Sequence, residues 1–508
     1  MPESSIANLP EVFVSHTAIS NGVHQAVARG QLRKLATRLY TRNQDEDPTR
    51  LILRNWYYLL PSYYPDALIA DRTALENRPA TDGSVFLISA KKRDTALPGL
   101  TFRPRPGPGA LVNDRPFIGG ARLSSTARAY LENMRGSRAR DGRVARTLSR
   151  GEIEDRIDTL IRQQGENAAN RLRDEARAIA PQLGLEKEFE AFSAIVGTLL
   201  GTRTEPMHTP AGKARAAGNP FDPDRLSLFE KLFAALRETI PVARPAPKRP
   251  AEANSTLAFF DAYFSNFIEG TEFTVKEAED IVFHGVIPTE RPADAHDVLG
   301  TFRVVSDLNE MRRTLNSVEE FVEFLRRRHA TIMEGRPDKR PGAFNNLPNR
   351  AGMTLFVAPD LVNGTLEKGF EFLRALEHPY QRAVFMMTLV SEVHPFIEGN
   401  GRIARVMMNA ELVAGGQERI IIPTAYRIDY LTALNAFSHN AEMTPLLRML
   451  DYAQRYTHAI DWSTLDHARA MLEESGAFGA GEDSKLQVNW QKWEKSGSSS
   501  APGEVSST

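Results

Sequence analysis

The chain has no cysteine among its 508 residues, which excludes disulfide bonds and metal sites built on thiolates. It also has no uninterrupted apolar run of the roughly 18–20 residues that a membrane-spanning helix needs. The first residues, Met1 to Ser5, have neither the basic nor the apolar part of a secretory signal. Apolar residues make up 42% and charged residues 25%, as in a typical globular protein. We therefore predict a cytoplasmic protein of two to four domains with no membrane partner.

Positive charge is concentrated towards the N-terminus. Residues 1–150 contain 23 Lys and Arg against 13 Asp and Glu, an excess of 10. Because the whole chain has a formal charge of −1, residues 151–508 carry −11. A basic segment on an otherwise acidic chain indicates an anionic partner, although a solvated basic surface would give the same count.

Residues 1–134 alternate short apolar runs with turn-forming residues, which predicts a small mixed α/β domain. Within it we predict a helix over 51–60 and strands over 83–90 and 109–112. The arginine-dense segment 135–150 is interpreted as either a linker or an exposed loop.

The rest of the chain has helical periodicity, so the predicted fold class is mainly α. Its predicted divisions are a helical connector with a proline-rich linker over 135–250, a helical domain over 251–460 and a disordered tail over 475–508. The predicted parts of the connector are a helix that begins at Glu152, a helix over 185–200, a long loop over 201–224 and a stiff linker over 241–250.

One stretch of the helical domain, His394 to Arg405 (HPFIEGNGRIAR), concentrates the residues that could carry chemistry. The apolar run before it indicates a buried helix that ends at His394, because Pro395 lacks the N–H that a helix needs and disfavours a helical residue before it. Residues 398–401 (EGNG) form a predicted turn, after which apolar periodicity resumes. The turn therefore opens a second helix.

The start of this second helix is a predicted binding site for a polyphosphate. Free N–H groups and the helix dipole attract anions there, and Gly399 and Gly401 let a ligand approach the backbone closely. Arg402 and Arg405 lie three positions apart and can reach the same side. Two guanidinium groups beside a helix N-terminus suit a di- or triphosphate better than a single carboxylate.

Two neighbouring side chains complete the predicted chemistry. A carboxylate beside phosphates would repel them unless it holds Mg²⁺, the role that we assign to Glu398. His394 precedes the turn and can act as a general base near neutral pH. Taken singly, a histidine before a proline, an arginine pair and a glycine turn each have ordinary structural explanations. Their occurrence together in this order indicates a functional site.

These residues match the signature HxFx(D/E)GNGRxxR of the Fic family at every specified position. Segments 341–345 (PGAFN) and 352–359 (GMTLFVAP) resemble the family's flap, a β-hairpin that aligns a target segment by strand addition. The resemblance covers about residues 255–460 and implies an all-helical core with this flap.

The resemblance to Fic proteins implies a protein adenylyltransferase that moves AMP from ATP to a Tyr, Thr or Ser hydroxyl of a target protein or of itself. It implies that His394 deprotonates the hydroxyl, that Glu398 holds Mg²⁺ and that Phe396 anchors the loop. The nucleotide-binding residues that it implies are Gly399, Asn400, Gly401, Arg402 and Arg405. Removal of AMP, or transfer of phosphocholine, phosphate or UMP, remains open within the same family.

A second motif lies in a predicted amphipathic helix over 255–270. Either Asn254 or Ser255 can cap its start, and Gly270 can end it. A plain core helix with a polar end would show the same pattern.

The end of this helix, Ser265-x-x-x-Glu269-Gly270, resembles the inhibitory motif [S/T]xxxE[G/N] of Fic proteins. Ser265 and Glu269 are four positions apart and therefore share a face. The resemblance implies that Glu269 pairs with Arg405 and occupies the space of the γ-phosphate. It also implies that the chain inhibits itself until the helix is displaced.

The N-terminal third resembles AbiEi-type antitoxins and related winged-helix regulators. The resemblance rests on 18–41, a predicted helix followed by a basic hairpin arm, on 71–75 (DRTAL) and on 97–100 (LPGL). Such domains usually bind promoter DNA, and the positive charge agrees with phosphate contacts. Too few residues precede Ala18 for a full helix-turn-helix, so a protein-docking module is the alternative.

The alternative to a self-inhibited adenylyltransferase is therefore a DNA-binding regulator or toxin–antitoxin component in which the Fic part is the effector. The two functions are compatible in one chain. The sequence is also compatible with a homo-oligomer, and it does not name the target protein.

Overall fold

A computed structural model describes residues 9–139, 142–313, 315–351, 354–481, 484–488, 490 and 493. The chain forms two compact units that divide after Gly218. The divisions predicted from the sequence differ from this one, since the predicted connector over 135–250 contains the boundary between the units.

Unit 1 is a mixture of strands and helices. Its strands are β1 (Val12–Val14), β2 (Arg33–Ala36), β3 (Leu39–Thr41), β4 (Leu68–Ile69), β5 (Ser84–Ile88), β6 (Thr95–Leu97), β7 (Leu100–Arg105), β8 (Arg115–Pro116) and β9 (Arg122–Leu123). Its helices are α1 (Ser20–Ala28), α2 (Pro48–Tyr63), α3 (Asp71–Glu76), α4 (Thr126–Asn133), α5 (Arg150–Gln164), α6 (Glu166–Leu183), α7 (Glu186–Leu199) and α8 (Pro210–Ala216).

The strands of unit 1 form two sheets. The first has the order β1-β3-β2 and is antiparallel throughout. The second has the order β6-β7-β5-β4-β9-β8 and is mixed, with β5 parallel to β7 and β4 parallel to β9. The predicted small α/β region at the N-terminus is therefore confirmed. The helix and hairpin predicted over 18–41 correspond to α1 and the hairpin β2–β3. The resemblance to AbiEi-type regulators stays a prediction.

The structure corrects two predictions for unit 1 and the segment that follows it. Residues 109–112 are not a strand, because side chains bind their backbone groups. The buried Arg128 donates to the carbonyl of Gly109 at 2.8 Å, and Asp114 accepts the N–H of Leu111 at 2.7 Å. The long loop predicted over 201–224 contains α8, whose first turn is capped by the hydroxyl of Thr209. A short helix with a proline at its start lacks the periodicity that reveals longer ones.

Unit 2 is built almost wholly of helices. They are α9 (Pro223–Glu238), α10 (Ala251–Ile268), α11 (Val275–His284), α12 (Pro292–Ser306), α13 (Leu308–Met311), α14 (Val318–Ile332), α15 (Val362–Arg374), α16 (Pro379–Val393), α17 (Asn400–Ala414), α18 (Arg427–Asn440), α19 (Thr444–Ala459) and α20 (Leu465–Glu474). One short hairpin, β10 (Arg350–Ala351) with β11 (Thr354–Leu355), interrupts them. The predicted fold class, mainly α with a β-hairpin and a small α/β N-terminal part, is confirmed.

Helix α10, which carries the inhibitory motif, is part of the core of unit 2. Ala258 and Ala262 lie in the same apolar cluster as the buried residues of α16 and α17. Phe260 and Phe264 lie in a second cluster and stack against each other with centroids 6.1 Å apart. The helix begins at Ala251, so the predicted caps at Asn254 and Ser255 are wrong. Both residues lie inside the helix, because Pro250 allows it to start earlier.

The proline-rich segment 241–250 is not a free linker. It lies along the chain that follows α17, where Ala246 N–H donates to Gly416 at 3.0 Å and Glu418 N–H donates to the carbonyl of Arg244 at 2.7 Å. An isolated β-bridge joins Pro245 to Gln417. The segment is thus part of the folded unit.

The start of the predicted disordered tail is also folded. Ser475 and Ala477 are buried, and the ring of Phe478 stacks on that of Phe264 at 5.4 Å. Residues 494–508 of the predicted tail lie outside the described residues. Of the helices in the described part of the chain, none combines the length and apolarity needed to cross a membrane.

Candidate functional site

The loop between α16 and α17 places the predicted catalytic residues. Pro395 prevents α16 from continuing, and His394 ends it in the left-handed region with φ 53° and ψ 56°. Gly399, with φ 81°, is the residue before α17. A Cβ added to Gly399 would come within 2.6 Å of the sulfur of Met333, so only glycine fits this turn.

Asn400 fixes the loop through both ends of its side-chain amide. Its Oδ1 accepts the N–H of Phe396 at 2.9 Å, and its Nδ2 donates to the carbonyl of Phe396 at 2.8 Å. Phe396 itself is fully buried. The side-chain amide of Asn400 is therefore already used in hydrogen bonds within the loop. A contact to an α-phosphate would come from the backbone around Asn400.

His329 supports the loop from below and was missed in the sequence. Its ring stacks on that of Phe396 with centroids 3.6 Å apart, and its Nε2 donates to the carbonyl of Glu398 at 2.9 Å. Its Nδ1 accepts the N–H of Gly342 at 2.9 Å, which requires a neutral imidazole. Burial lowers the pKa of His329 to about 4, in agreement with that state. No motif pointed to this residue, because a lone histidine in a helix has no sequence pattern of its own.

His394 is held between the flap and its own helix. Its ring stacks on Phe356 with centroids 3.7 Å apart, and its Nδ1 lies 3.3 Å from the carbonyl of Ser391. Since a carbonyl only accepts, Nδ1 carries the hydrogen and Nε2 is left as the proton acceptor. Burial lowers the pKa of His394 to about 4, although the contact with Ser391 and the charge of Glu269 oppose that shift.

Arg405 is bound by the end of α10. Its Nη2 lies 2.8 Å from Oε1 of Glu269 and 2.8 Å from the carbonyl of Ser265, and its Nε donates to Oγ of Ser265 at 3.0 Å. Glu269 is the first residue after α10, and Gly270 turns the chain away with φ 88°. Arg405 is almost fully buried, with 4% of its side chain exposed. One arginine thus accounts for both polar residues of the inhibitory motif.

The carboxylate of Glu269 also covers the start of α17. A Cβ added to Gly401 would come within 2.1 Å of Oε1 of Glu269. Burial raises the pKa of Glu269, but the charge and hydrogen bond of Arg405, helped by Arg402 and His394, outweigh it and leave the pKa lowered. The group is therefore an anion at the helix N-terminus, where a phosphate was predicted.

Arg402 points to a partner that the sequence did not reveal. Its Nη1 lies 2.5 Å from Oδ2 of Asp297 on α12 and 3.4 Å from Oδ1 of Asn266. Asp297 is fully buried and also receives Arg336 at 2.8 Å. Among the described residues, Nε of Arg402 has no hydrogen-bond partner. In this structure Arg402 therefore braces α17 against α12, and the predicted grip on phosphates stays a prediction.

Glu398 is the acidic residue nearest the start of α17 on the loop. Its side chain is 37% exposed, and its carboxylate lies 3.2 Å from Nζ of Lys339 and 3.8 Å from Nη2 of Arg402. Within the described part of the chain, no group of three or more acidic or histidine side chains is arranged to hold a metal ion. A single accessible carboxylate fits Mg²⁺ only when substrate phosphates supply further ligands. Lys339 was not predicted and competes for the same carboxylate.

The flap is the hairpin β10–β11, in which Arg350 pairs with Leu355 and Ala351 with Thr354. Two contacts hold its second strand. Arg225 donates to the carbonyl of Leu355 at 2.9 Å, and Oγ1 of Thr354 lies 2.9 Å from Nε2 of His439. Gly352 and Met353, which form part of the predicted flap, lie outside the described residues.

The sequence around this site matches a known protein family. Residues 320–412 match the model of the Fic/DOC family, so the chain contains a Fic domain. The chain is 25% identical to the protein adenylyltransferase fic-1 of Caenorhabditis briggsae over 240 residues. This alignment covers 46% of each chain. Over 230 residues the chain is 26% identical to the protein adenylyltransferase Fic of Drosophila willistoni, which covers 42% of this chain and 45% of that one.

The chain spans slightly less than half the length of these curated relatives. Among solved structures, Fic-1 from C. elegans is similar at 15% identity with a TM-score of 0.35, over 64% of this chain and 98% of that one.

Proposed function

We propose that the protein is a protein adenylyltransferase that Glu269 holds inactive. The observation that carries this proposal is the position of the Glu269 carboxylate, which pairs with Arg405 and lies against Gly401 at the start of α17. An internal anion at this point supports a site whose substrate is anionic and must replace it. The relatives named protein adenylyltransferase support ATP as that substrate.

The proposed reaction uses His394 as the general base. Its Nε2 takes the proton from a Tyr, Thr or Ser hydroxyl of the target, and the hydroxyl oxygen attacks the α-phosphorus of ATP. The bond between the α-phosphorus and the bridging oxygen to the β-phosphate breaks, and pyrophosphate leaves. The products are the AMP-modified protein and pyrophosphate, and the proton passes from His394 to solvent.

The remaining residues position the nucleotide. The backbone of Gly399 and Gly401 offers N–H groups to the α-phosphate, and Arg405 receives the γ-phosphate once Glu269 has left. Arg402 lies one turn earlier on the same helix. Glu398 would hold Mg²⁺, which neutralises phosphate charge when it is bound.

Glu269→Gly tests the proposal directly. The purified full chain is incubated with Mg²⁺ and ATP labelled on the α-phosphate, and incorporation into the protein itself is measured. We expect strong labelling of the Glu269→Gly variant, weak labelling of the wild type, and none when His394→Ala is added. Glu272→Gly, which removes an exposed carboxylate three residues away, is the matched control and should behave like the wild type.

The same experiment separates the alternatives. Labelling from UTP or CDP-choline instead of ATP would assign a different transferred group. If the wild type releases AMP from the modified chain faster than Glu269→Gly does, removal of AMP is the dominant activity. Equal labelling of wild type and Glu269→Gly would refute inhibition by Glu269.

Binding of DNA by the N-terminal third is the second candidate. The observation that favours it is the helix α1 followed by the hairpin β2–β3, which leaves Arg29, Lys34 and Arg38 exposed. The Nε–H of Arg38 donates to the carbonyl of Ser15. Arg29 and Lys34 are therefore the better residues with which to test DNA binding. Binding of the full chain to duplex DNA should weaken with salt and fall in the Arg29→Ala/Lys34→Ala variant. Absence of any salt-dependent binding would favour a protein-docking role.

A further inference from the structure

Unit 2 contains a pocket near the start of α10, lined by the proline-rich segment and by the chain that follows α17. Its volume is about 430 Å³. One part of its lining is apolar and comprises Ala246, Pro247, Leu257, Leu308 and Val413. The other part is basic and comprises Lys248, Arg249, Arg312 and Arg419.

Two of the four cations are already neutralised. Arg249 pairs with Glu418, which is fully buried. Arg419 lies 3.1 Å from Asp261 of α10 and donates to the carbonyl of Val305 at 2.8 Å. These ion pairs fix the wall of the pocket, but Arg249 and Arg419 have no uncompensated positive charge left for a ligand.

The other two cations, Lys248 and Arg312, carry the uncompensated charge. Both are exposed, and neither has an ion pair or side-chain hydrogen bond with any residue that the structure describes. The one carboxylate in the lining, Glu418, is occupied by Arg249. The pocket therefore presents two free positive charges beside an apolar wall.

The pocket is distinct from the candidate active site. Leu257 of α10 precedes Glu269, the residue just after this helix, by 12 positions, a distance of about 18 Å along a helix. The segment around Ala246 forms the rim of the pocket. It is held by the hydrogen bond from the N–H of Ala246 to the carbonyl of Gly416. The walls are thus parts of the folded unit rather than a mobile loop.

We propose that this pocket binds a small phosphate monoester whose organic part is apolar or aromatic. Two free cations match the two charges that a phosphate monoester carries above its second pKa of about 6. The apolar wall receives the organic part, and the volume is in the range of small-molecule sites. A singly charged ligand of the same shape leaves one cation uncompensated and binds more weakly.

Calorimetric titration of the full chain with phenyl phosphate at about pH 7.5 tests the proposal. Phenyl sulfate has the same shape with one charge fewer and is the matched control ligand. We expect phenyl phosphate to bind at least about tenfold more tightly than phenyl sulfate. The Lys248→Ala/Arg312→Ala variant should lose that preference, whereas Lys231→Ala/Arg374→Ala, which removes two exposed cations elsewhere in unit 2, should keep it.

The active site is a competing location for the probe, and Arg405→Ala distinguishes it. Binding that survives Arg405→Ala and is lost in Lys248→Ala/Arg312→Ala supports the proposal. Loss of binding in Arg405→Ala with retention in the double variant overturns it, as does equal affinity for the two probes or no binding of phenyl phosphate. These outcomes are independent of whether the protein transfers AMP.

Discussion

Oε1 of Glu269 and Nη2 of Arg405 lie 2.8 Å apart, and the same carboxylate lies against the backbone of Gly401. The side chain of Glu269 therefore pairs with the guanidinium of Arg405 and also covers the N-terminus of α17. An incoming triphosphate would need both of these groups. Glu269 keeps 30% of its side chain exposed, whereas Arg405 keeps 4%. Removing Glu269 therefore leaves a buried cation behind, whereas removing Arg405 leaves a carboxylate that water can reach.

Binding of ATP should stabilise the Glu269→Gly variant more than the wild type. In the variant the γ-phosphate gives the buried Arg405 a new partner, and no internal carboxylate has to be displaced. Without nucleotide, the variant should be less stable by about 1–3 kcal/mol, because a buried charge has lost its partner. Thermal unfolding with and without Mg²⁺ and ATP measures both effects. An equal shift of the melting temperature in the two proteins would contradict competition for Arg405.

Release of Glu269 should not require withdrawal of α10. Phe259, Phe260 and Phe264 of this helix are buried in the core, so pulling it out would expose much of unit 2 to water. Glu269 lies just beyond the last residue of the helix, where a side-chain rotation is enough. Hydrogen exchange should therefore show α10 equally protected in wild type and Glu269→Gly with ATP bound. Loss of protection along α10 would instead support the displacement that the sequence suggested.

His394→Ala should abolish transfer while sparing nucleotide binding. Loss of a general base typically lowers the rate by about 10²–10⁴-fold, and the side chain stacks on Phe356 rather than on any predicted phosphate contact. The rate is measured in the Glu269→Gly background, and ATP affinity by titration. His284→Ala, at an exposed histidine on α11, is the control and should change neither value.

Transfer by the Glu269→Gly variant should stay constant as the pH falls from about 8 to 5.5. Burial lowers the pKa of His394 to about 4, so the neutral, proton-accepting form persists through this range. An ordinary histidine would be half protonated near pH 6.5, and its rate would have halved there. Removing Glu269 takes away a charge that raises the pKa of His394, which extends the plateau. A rate that halves near pH 6.5 would show that His394 is not the base in its buried form.

His329→Gln should be less destabilising at acidic pH than at neutral pH. Burial lowers the pKa of His329 to about 4, so the unfolded chain takes up the proton first as the pH falls below about 6.5. The wild type therefore loses stability between about pH 6.5 and 4, by about 2 kcal/mol at pH 5 from this residue alone. Glutamine keeps a donor and an acceptor but does not titrate in this range. Denaturant unfolding of both proteins at pH 7 and pH 5 measures the difference, with His284→Gln as the exposed control.

Local sequence rules predicted the regular elements well where they are long. The helices α2, α5 and α7 were expected from periodicity, and β5 from its apolar run. The helix α6 (Glu166–Leu183) is long but was not predicted as a separate element. The other misses are short or depend on distant partners. Residues 109–112 are apolar enough for a strand, but Arg128 and Asp114 use their backbone groups. Segment 241–250 has the composition of a linker, yet its backbone pairs with residues about 170 positions later in the chain, as in the contact of Arg244 with Gln417.

The sequence alone determined the loop from His394 to Arg405, because proline, glycine and helix-capping rules act within a few residues. It also predicted candidate side chains for the base and the anion ligands, and its resemblance to Fic proteins predicted the internal inhibitor. Only the tertiary structure decided their partners. Arg402 is paired with Asp297, Phe396 rests on His329, and Glu269 covers Gly401 as well as pairing with Arg405. These contacts join segments far apart in the chain, and they depend on how α10, α12 and α14 pack around α17, which no local pattern specifies.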